Sequence, residues 1–336
     1  MPLFRPELFQ GARKRKSYFE GWYFKHVSAD TSEAWAFIPG ISLNADGSSQ
    51  TAFIQAIDGT RGLTRWYPFA FEDFSWKPGS LEVSIGSNHF STQGISIDLD
   101  GPDGRLSAEL SYGEFSSFPS RPWRPGIMGP YSFVPFMECR HGLVSMDHTV
   151  DGWVQADGRR TSMDSGRGYV EKDWGSSMPS SWIWTQSNQF PTQGDSLMFS
   201  LANIPWLGNH FPGFLCAARL SESGRPRQVQ VWATWNGSRI DELKVDDSTV
   251  SLVVARKDEK LSLKLGRRRG GLLLAPVAGA MERRIAESID STMSVRLERG
   301  GKLVYEDTAP KAGLETVGNL AELGLSADLT KEGKST

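Results

Sequence analysis

Residues 168–190 read GYVEKDWGSSMPSSWIWTQSNQF, two acids and three tryptophans within twenty-three positions. The first part alternates as a β-strand does, with Tyr169, Glu171 and Asp173 on one face and Val170, Lys172 and Trp174 on the other. Two carboxylates on one face of an extended chain lie about 7 Å apart at their Cα atoms. Gly-Ser-Ser-Met-Pro-Ser-Ser has the composition of a turn. A second strand is predicted over Ser181 to Phe190, with Trp182, Trp184, Gln186, Asn188 and Phe190 on one face. That face is a wall of rings ending in amides, suited to a ligand with an apolar body and a polar head.

Outward from this hairpin the same grammar repeats. Twelve tryptophans, eighteen phenylalanines and thirty-five glycines, with short alternating runs between turn signals, predict an all-β chain. Ser17 to Val27 places Tyr18, Glu20, Trp22, Phe24 and His26 on one face. Further strands are expected at Ala34–Leu43, Thr51–Ile57, Leu81–Ile85, Ile95–Leu99 and Leu106–Ser111, a spacing that suits a meandering sheet or barrel. Phe118 to Pro130 carries four prolines and reads as an ordered loop able to close Trp123, Arg124 and Met128 over a site. Strands are predicted again at Tyr131–Met137, Leu143–Val150 and Trp153–Ala156, then a link over Asp157–Gly166. Seven more follow from Leu197 to Leu297. The reading divides the chain into a first barrel at 1–160, a second at 161–325 and a frayed tail at 326–336.

Composition narrows the function. A net charge of -2 and a pI near 6.3 give no reason to expect nucleic acid. Cys139 and Cys216 are too few for a disulfide framework and read as buried thiols in a reducing compartment. No secretory h-region and no stretch of about 20 apolar residues occurs. A cytoplasmic protein is expected, with peripheral membrane contact left open. The Arg267–Arg269 run reads as a solvated turn. His26, His89, His141, His148 and His210 show no metal-ligand spacing, so no metal is expected, and His141 and His148 read as surface or turn residues. A phosphate-binding glycine loop and a nucleophile elbow are both absent.

Carboxylates among aromatic rings remain. An acid in an apolar pocket, with a second acid beside it, is pushed toward its neutral form. Tryptophan faces stabilise a cation by about 2 kcal/mol when desolvated. Together these suit protonation of an alkene and guidance of the resulting carbocation. The same residues also fit a plainer arrangement, in which Glu171 and Asp173 pair with lysine or arginine on a sheet surface and the tryptophans fill a barrel.

The segments SYFEGWYFKHV (17–27), PGIMGPYSFVPFMECRHGLVSM (125–146), GYVEKDWGSSMPSSWIWTQSNQF (168–190), IPWLGNHFPGF (204–214) and LLLAPVAGAMERR (272–284) together resemble the tocopherol cyclase family, over roughly 17 to 320. The resemblance implies a pair of lipocalin-like barrels. It also implies cyclisation of a prenylated benzoquinol to a chromanol, by protonation of a trisubstituted double bond and capture of the tertiary cation by the phenol oxygen. Carotenoid hydratases, distantly similar, also protonate an alkene. No transit peptide of the plant kind is expected, which suits a bacterial member of the family, and Met178 stands where phenylalanine is common. On this reading Glu171, assisted by Asp173, is the acid. Trp174, Trp182 and Trp184 line the cation's path, Gln186 and Asn188 hold the ring hydroxyls, and Glu20 and Trp22 complete the site or brace the first strand. No cofactor is needed for a net isomerisation. Carriage of a prenyl quinone without turnover, and hydration of the alkene, are the competing readings, and the oligomeric state is open.

Overall fold

A computed structural model describes residues 4–135, 137–206 and 209–324; the tail expected at 326–336 lies outside them. The first twelve strands form one antiparallel sheet: β1 (Tyr18–Val27), β2 (Ala34–Leu43), β3 (Gln50–Asp58), β4 (Leu63–Ala70), β5 (Phe74–Trp76), β6 (Glu82–Ile85), β7 (Asn88–Ser91), β8 (Gly94–Leu99), β9 (Leu106–Tyr112), β10 (Cys139–Ala156), β11 (Arg159–Ser162) and β12 (Gly166–Gly175). Ten more form a second sheet: β13 (Trp182–Ser187), β14 (Ser196–Trp206), β15 (Asn209–Arg219), β16 (Val229–Ala233), β17 (Arg239–Val245), β18 (Thr249–Arg256), β19 (Glu259–Gly266), β20 (Gly271–Val277), β21 (Ala280–Arg299) and β22 (Lys302–Val317).

Each sheet curls around its own core, because most of its strands carry one apolar face that must leave water. In the first, Phe24 on β1 lies 5.6 Å from Phe90 on β7, ring centre to ring centre, although four strands separate them in the sheet order. Trp22 approaches Phe74 of β5 to 6.5 Å in the same way. In the second, Arg256 of β18 donates to the Val231 carbonyl of β16 at 2.7 Å, joining strands from opposite ends of the order. A fully buried phenylalanine such as Phe24, Phe37 or Phe199 contributes about 2–3 kcal/mol. The architecture is the expected pair of lipocalin-like, all-β units.

The boundaries differ from those expected. Among the described residues, one compact unit comprises those of 4–178 with 270–285, the other those of 179–269 with 286–324. Residues 161–178 join the first unit because β12 pairs with β1 on one side and β10 on the other. The anticipated link at 157–166 is a hairpin: Asp157 and Gly158 take φ of 51° and 80° between the paired Ala156 and Arg159, a two-residue turn that asparagine, aspartate and glycine favour. Residues 270–285 belong to the first unit through β20, where Gln55 exchanges two hydrogen bonds with the Leu274 backbone, at 3.0 and 2.9 Å. In place of the strand expected at Tyr131–Met137, Gly129–Phe133 form a short 3-10 helix; Pro130 in its first turn and Pro135 just after it suit a strand poorly, and Phe136 lies outside the described residues. Among the described residues no helix is long and apolar enough to cross a membrane.

Candidate functional site

β12 carries the candidate acids, and its two neighbours decide what surrounds them. Across β1 the register sets Tyr23 beside Glu171 and Gly21 beside Asp173. Across β10 it sets Leu143 beside Glu171 and His141 beside Asp173. Directly opposed residues share a face. One face of the first sheet therefore gathers Tyr169, Glu171, Asp173 and His141. The glycine closing the Glu-Lys-Asp-Trp-Gly run has a steric cause: a Cβ on Gly175, at φ +157°, would lie 1.9 Å from the Glu138 carbonyl oxygen of the adjoining chain.

The polar contacts form a chain. The Tyr169 hydroxyl donates to Glu171 Oε2 at 2.5 Å. His141 Nε2 lies 3.5 Å from that same oxygen, and His141 Nδ1 lies 2.9 Å from Asp173 Oδ1. With the hydrogen on Nδ1, His141 donates to Asp173 and leaves Nε2 facing Glu171. Glu171 is 4 % exposed, whereas the Asp173 side chain keeps 28 % of its surface. Burial, and then the charge of Glu171, push the Tyr169 phenol well above its ordinary range, so it remains a donor. Sulfur closes the Asp173 end. Cys139 Sγ sits 4.0 Å from Asp173 Oδ1 and 3.6 Å from Met178 Sδ, its thiol pushed well up by burial. Met128 Sδ lies 3.1 Å from the His141 backbone nitrogen.

His141 is thus neither a surface nor a turn residue. Donor atoms of His141, Glu171 and Asp173 all lie within 4.8 Å of one another, a set able to hold a divalent cation that linear spacing does not reveal. Each carboxylate, however, addresses a different ring nitrogen. A proton relay uses both nitrogens, while a metal takes one. His148 is likewise buried, its Nδ1 2.9 Å from the Ser145 hydroxyl and its ring 4.4 Å from that of Phe115.

The remaining expected site residues fall elsewhere. Glu20, Trp22 and Trp174 lie on the opposite face of the first sheet, around Lys172. Lys172 Nζ pairs with Glu20 Oε1, both side chains fully buried, and sits 4.6 Å from the Trp22 ring and 5.0 Å from that of Trp174. The cation those indoles hold is the protein's own. Glu20 also accepts from the Tyr18 hydroxyl at 2.6 Å and from the Gln10 backbone at 2.8 and 3.1 Å, contacts that brace β1 against the chain before it.

Trp182, Trp184, Gln186 and Asn188 belong to the second unit. The register groups Trp182, Trp184 and Gln186 on one face of β13, opposite Ala202, Ser200 and Met198. The Trp182 indole donates to Glu315 Oε2, and the Trp184 ring covers Gly313, where a Cβ would meet it at 2.5 Å. The strand stops at Ser187, so the predicted alternation stops too. Asn188 lies beyond it and accepts from the Gln189 side chain at 3.0 Å. Phe190 turns into the core shared with Ile183.

An all-β pair of lipocalin-like units, with a buried carboxyl and a second carboxylate on either side of one histidine ring, is the class that fold and site define. Residues 124–318, more than half of the chain, match the tocopherol cyclase-like family, and the chain belongs to that family. It is 29 % identical over 226 residues to a rice protein (Oryza sativa subsp. japonica) named "Probable tocopherol cyclase, chloroplastic", a match covering 52 % of this chain and 47 % of that one. Over 57 residues it is 35 % identical to the chloroplastic tocopherol cyclase of Zea mays, covering 17 % and 12 % of the two chains. It thus spans about half, or less, of the curated relatives it matches. Two solved structures share the fold. An AttH protein of Nitrosomonas europaea has a TM-score of 0.50 at 12 % identity, covering 88 % of this chain and 92 % of its own. Kievitone hydratase of Nectria haematococca has a TM-score of 0.50 at 10 % identity, covering 90 % and 89 %.

Proposed function

We propose that the protein is an acid–base enzyme acting on an apolar prenylated benzoquinol, with Glu171 as proton donor and His141 as the group that exchanges protons with it. The supporting observation is the array Asp173–His141–Glu171–Tyr169, buried at its Glu171 end, in a chain of the tocopherol cyclase-like family. Glu171 gives its proton to the less substituted carbon of a trisubstituted double bond. The new C–H bond uses the alkene's π electrons and leaves a tertiary cation. The ring oxygen closes on that cation, forming a C–O bond, and its O–H proton returns through His141 Nε2 to Glu171. Bonds and charges balance with no oxidant or reductant, so the reaction is an isomerisation.

Asp173 acts through His141, holding the tautomer in which Nε2 faces the acid. Tyr169 fixes the rotamer of Glu171. Such proton transfer contributes about 10²–10⁴ in rate. The test is turnover of a prenylated benzoquinol by the protein and by Glu171→Gln. Chromanol from the first and loss of at least a hundredfold in the second are expected. A tertiary alcohol product would make the protein a hydratase, and tight binding of unchanged quinol would make it a carrier; either overturns the cyclisation.

A further inference from the structure

The loop between β9 and β10 exposes hydrophobic surface in an organised way. Arg121 and Arg124 exchange backbone hydrogen bonds in both directions, at 2.8 and 2.9 Å. This pins Pro122 and Trp123 at the tip of a tight turn. Trp123 is 67 % exposed and Phe133, further along the loop, 53 %. The rest of the loop is anchored: Ile127 is fully buried and Met128 nearly so, Ser120 Oγ donates to the Pro125 carbonyl at 2.8 Å, and Arg140 reaches the Val134 carbonyl at 3.1 Å. A large indole held in water by a rigid turn costs solvation without contributing to the core.

Charge narrows what meets it. Residues 115–137 contain Arg121 and Arg124 and no acid. Among the described residues no carboxylate pairs with either arginine, and the Arg121 guanidinium lies 6.0 Å from the Trp123 ring. Arg121 beside the exposed indole, and Arg124 packed over the Phe118 ring at 5.3 Å with its Nε buried, are positive charges with no carboxylate partner among the described residues, and they match a bilayer interface, where tryptophan sits at headgroup depth and arginine meets anionic phosphate.

We propose that the 121–124 turn is a membrane-docking element that seats Trp123 in the interface of an anionic bilayer, with Arg121 and Arg124 on its headgroups and Phe133 beside them. Only four residues separate the tip from Met128, which touches His141. The element therefore joins a lipid surface to the array described above. This last link rests on the proposed reaction; the docking itself does not.

The experiment is flotation of the full chain with vesicles of phosphatidylcholine alone or mixed with phosphatidylglycerol, without substrate. Association with the anionic vesicles is expected. Trp123→Ala should weaken it about tenfold, from loss of a partly inserted ring, and Arg121→Gln with Arg124→Gln about fivefold for each charge removed. Thermal stability should stay as in the parent for Trp123→Ala and Arg121→Gln, whose side chains are exposed, whereas Arg124→Gln gives up the contact of Arg124 with Phe118. Replacing the basic runs elsewhere, Arg13, Lys14, Arg15 and Lys16 or Arg267, Arg268 and Arg269, by glutamine should leave the Trp123 dependence intact. The proposal is overturned if the parent ignores anionic vesicles, if the tip variants bind as it does, if binding is lost only with the 13–16 or the 267–269 variant, or if Trp123→Ala converts a dimer to a monomer. These outcomes are read without turnover, so failure of the docking element and failure of the proposed reaction are distinguishable.

Discussion

Replacing Lys172 by methionine tests how the first unit is held together and whether Glu20, Trp22 and Trp174 take part in chemistry. Lys172 and Glu20 are both fully buried and paired, and breaking such a pair from one side costs about 3–5 kcal/mol, because the remaining charge is stranded. Glu20 keeps its bonds from Tyr18 and the Gln10 backbone, which favours the lower end of that range. Methionine preserves most of the packing between the indoles but removes their cation, worth about 2 kcal/mol when desolvated. The expected loss is about 3–5 kcal/mol, two to four decades in the folded-to-unfolded ratio. Glu20→Gln alone should cost a similar amount, and the double variant less than the sum, with a coupling of about 1–3 kcal/mol. Urea unfolding followed by tryptophan fluorescence reads this, taking the transition of the first unit separately from that of the second. A Lys172→Met protein within about 0.5 kcal/mol of the parent would refute the reasoning. So would one of unchanged stability that has lost turnover, since that would place the lysine in the reaction.

Three further outcomes follow. His141→Gln should lower kcat about a hundredfold with KM little changed and flatten the acid limb of the pH–rate profile; an unaltered profile removes His141 from the relay. Burial holds the His148 ring down at about 3. The unfolded chain therefore binds a proton below about 6.5 that the folded chain does not, so stability falls as the pH falls through that window, by about 2 kcal/mol between pH 6.5 and 4.5; His148→Phe should shallow the slope of urea midpoint against pH, and an unchanged slope contradicts the assignment. Gly313→Ala should destabilise the second unit by about 1–3 kcal/mol, because its methyl enters the Trp184 ring; a neutral melting shift would mean that the ring moves aside freely.

Much of the fold was legible because β-strands advertise themselves locally. Ala34–Leu43 is a strand over its predicted span, and its two-residue period needs no knowledge of partners. Charge-rich strands were not legible: β17, RIDELKV, and β22 carry acids and bases where the template looks for apolar residues. Asp157-Gly158 is itself a hairpin signal, and the chain turns there. Of the site, alternation alone put Glu171 and Asp173 together and Trp174 on the other face, so the separation of that indole was already implied. His141 was out of reach, because its place beside Asp173 is set by the β10–β12 register, a pairing of residues 32 positions apart that no local pattern encodes. The same holds for Glu20 and Lys172, whose pairing depends on β1 lying beside β12.

The central claim is that Glu171 delivers a solvent-exchangeable proton to carbon. Incubating the protein and its Glu171→Gln variant with a prenylated benzoquinol in heavy water, and reading the product by mass spectrometry, tests it most directly. The account predicts chromanol carrying one carbon-bound deuterium from the parent and at least a hundredfold less from the variant. Labelled chromanol at an undiminished rate from Glu171→Gln, or unlabelled chromanol from the parent, would contradict it.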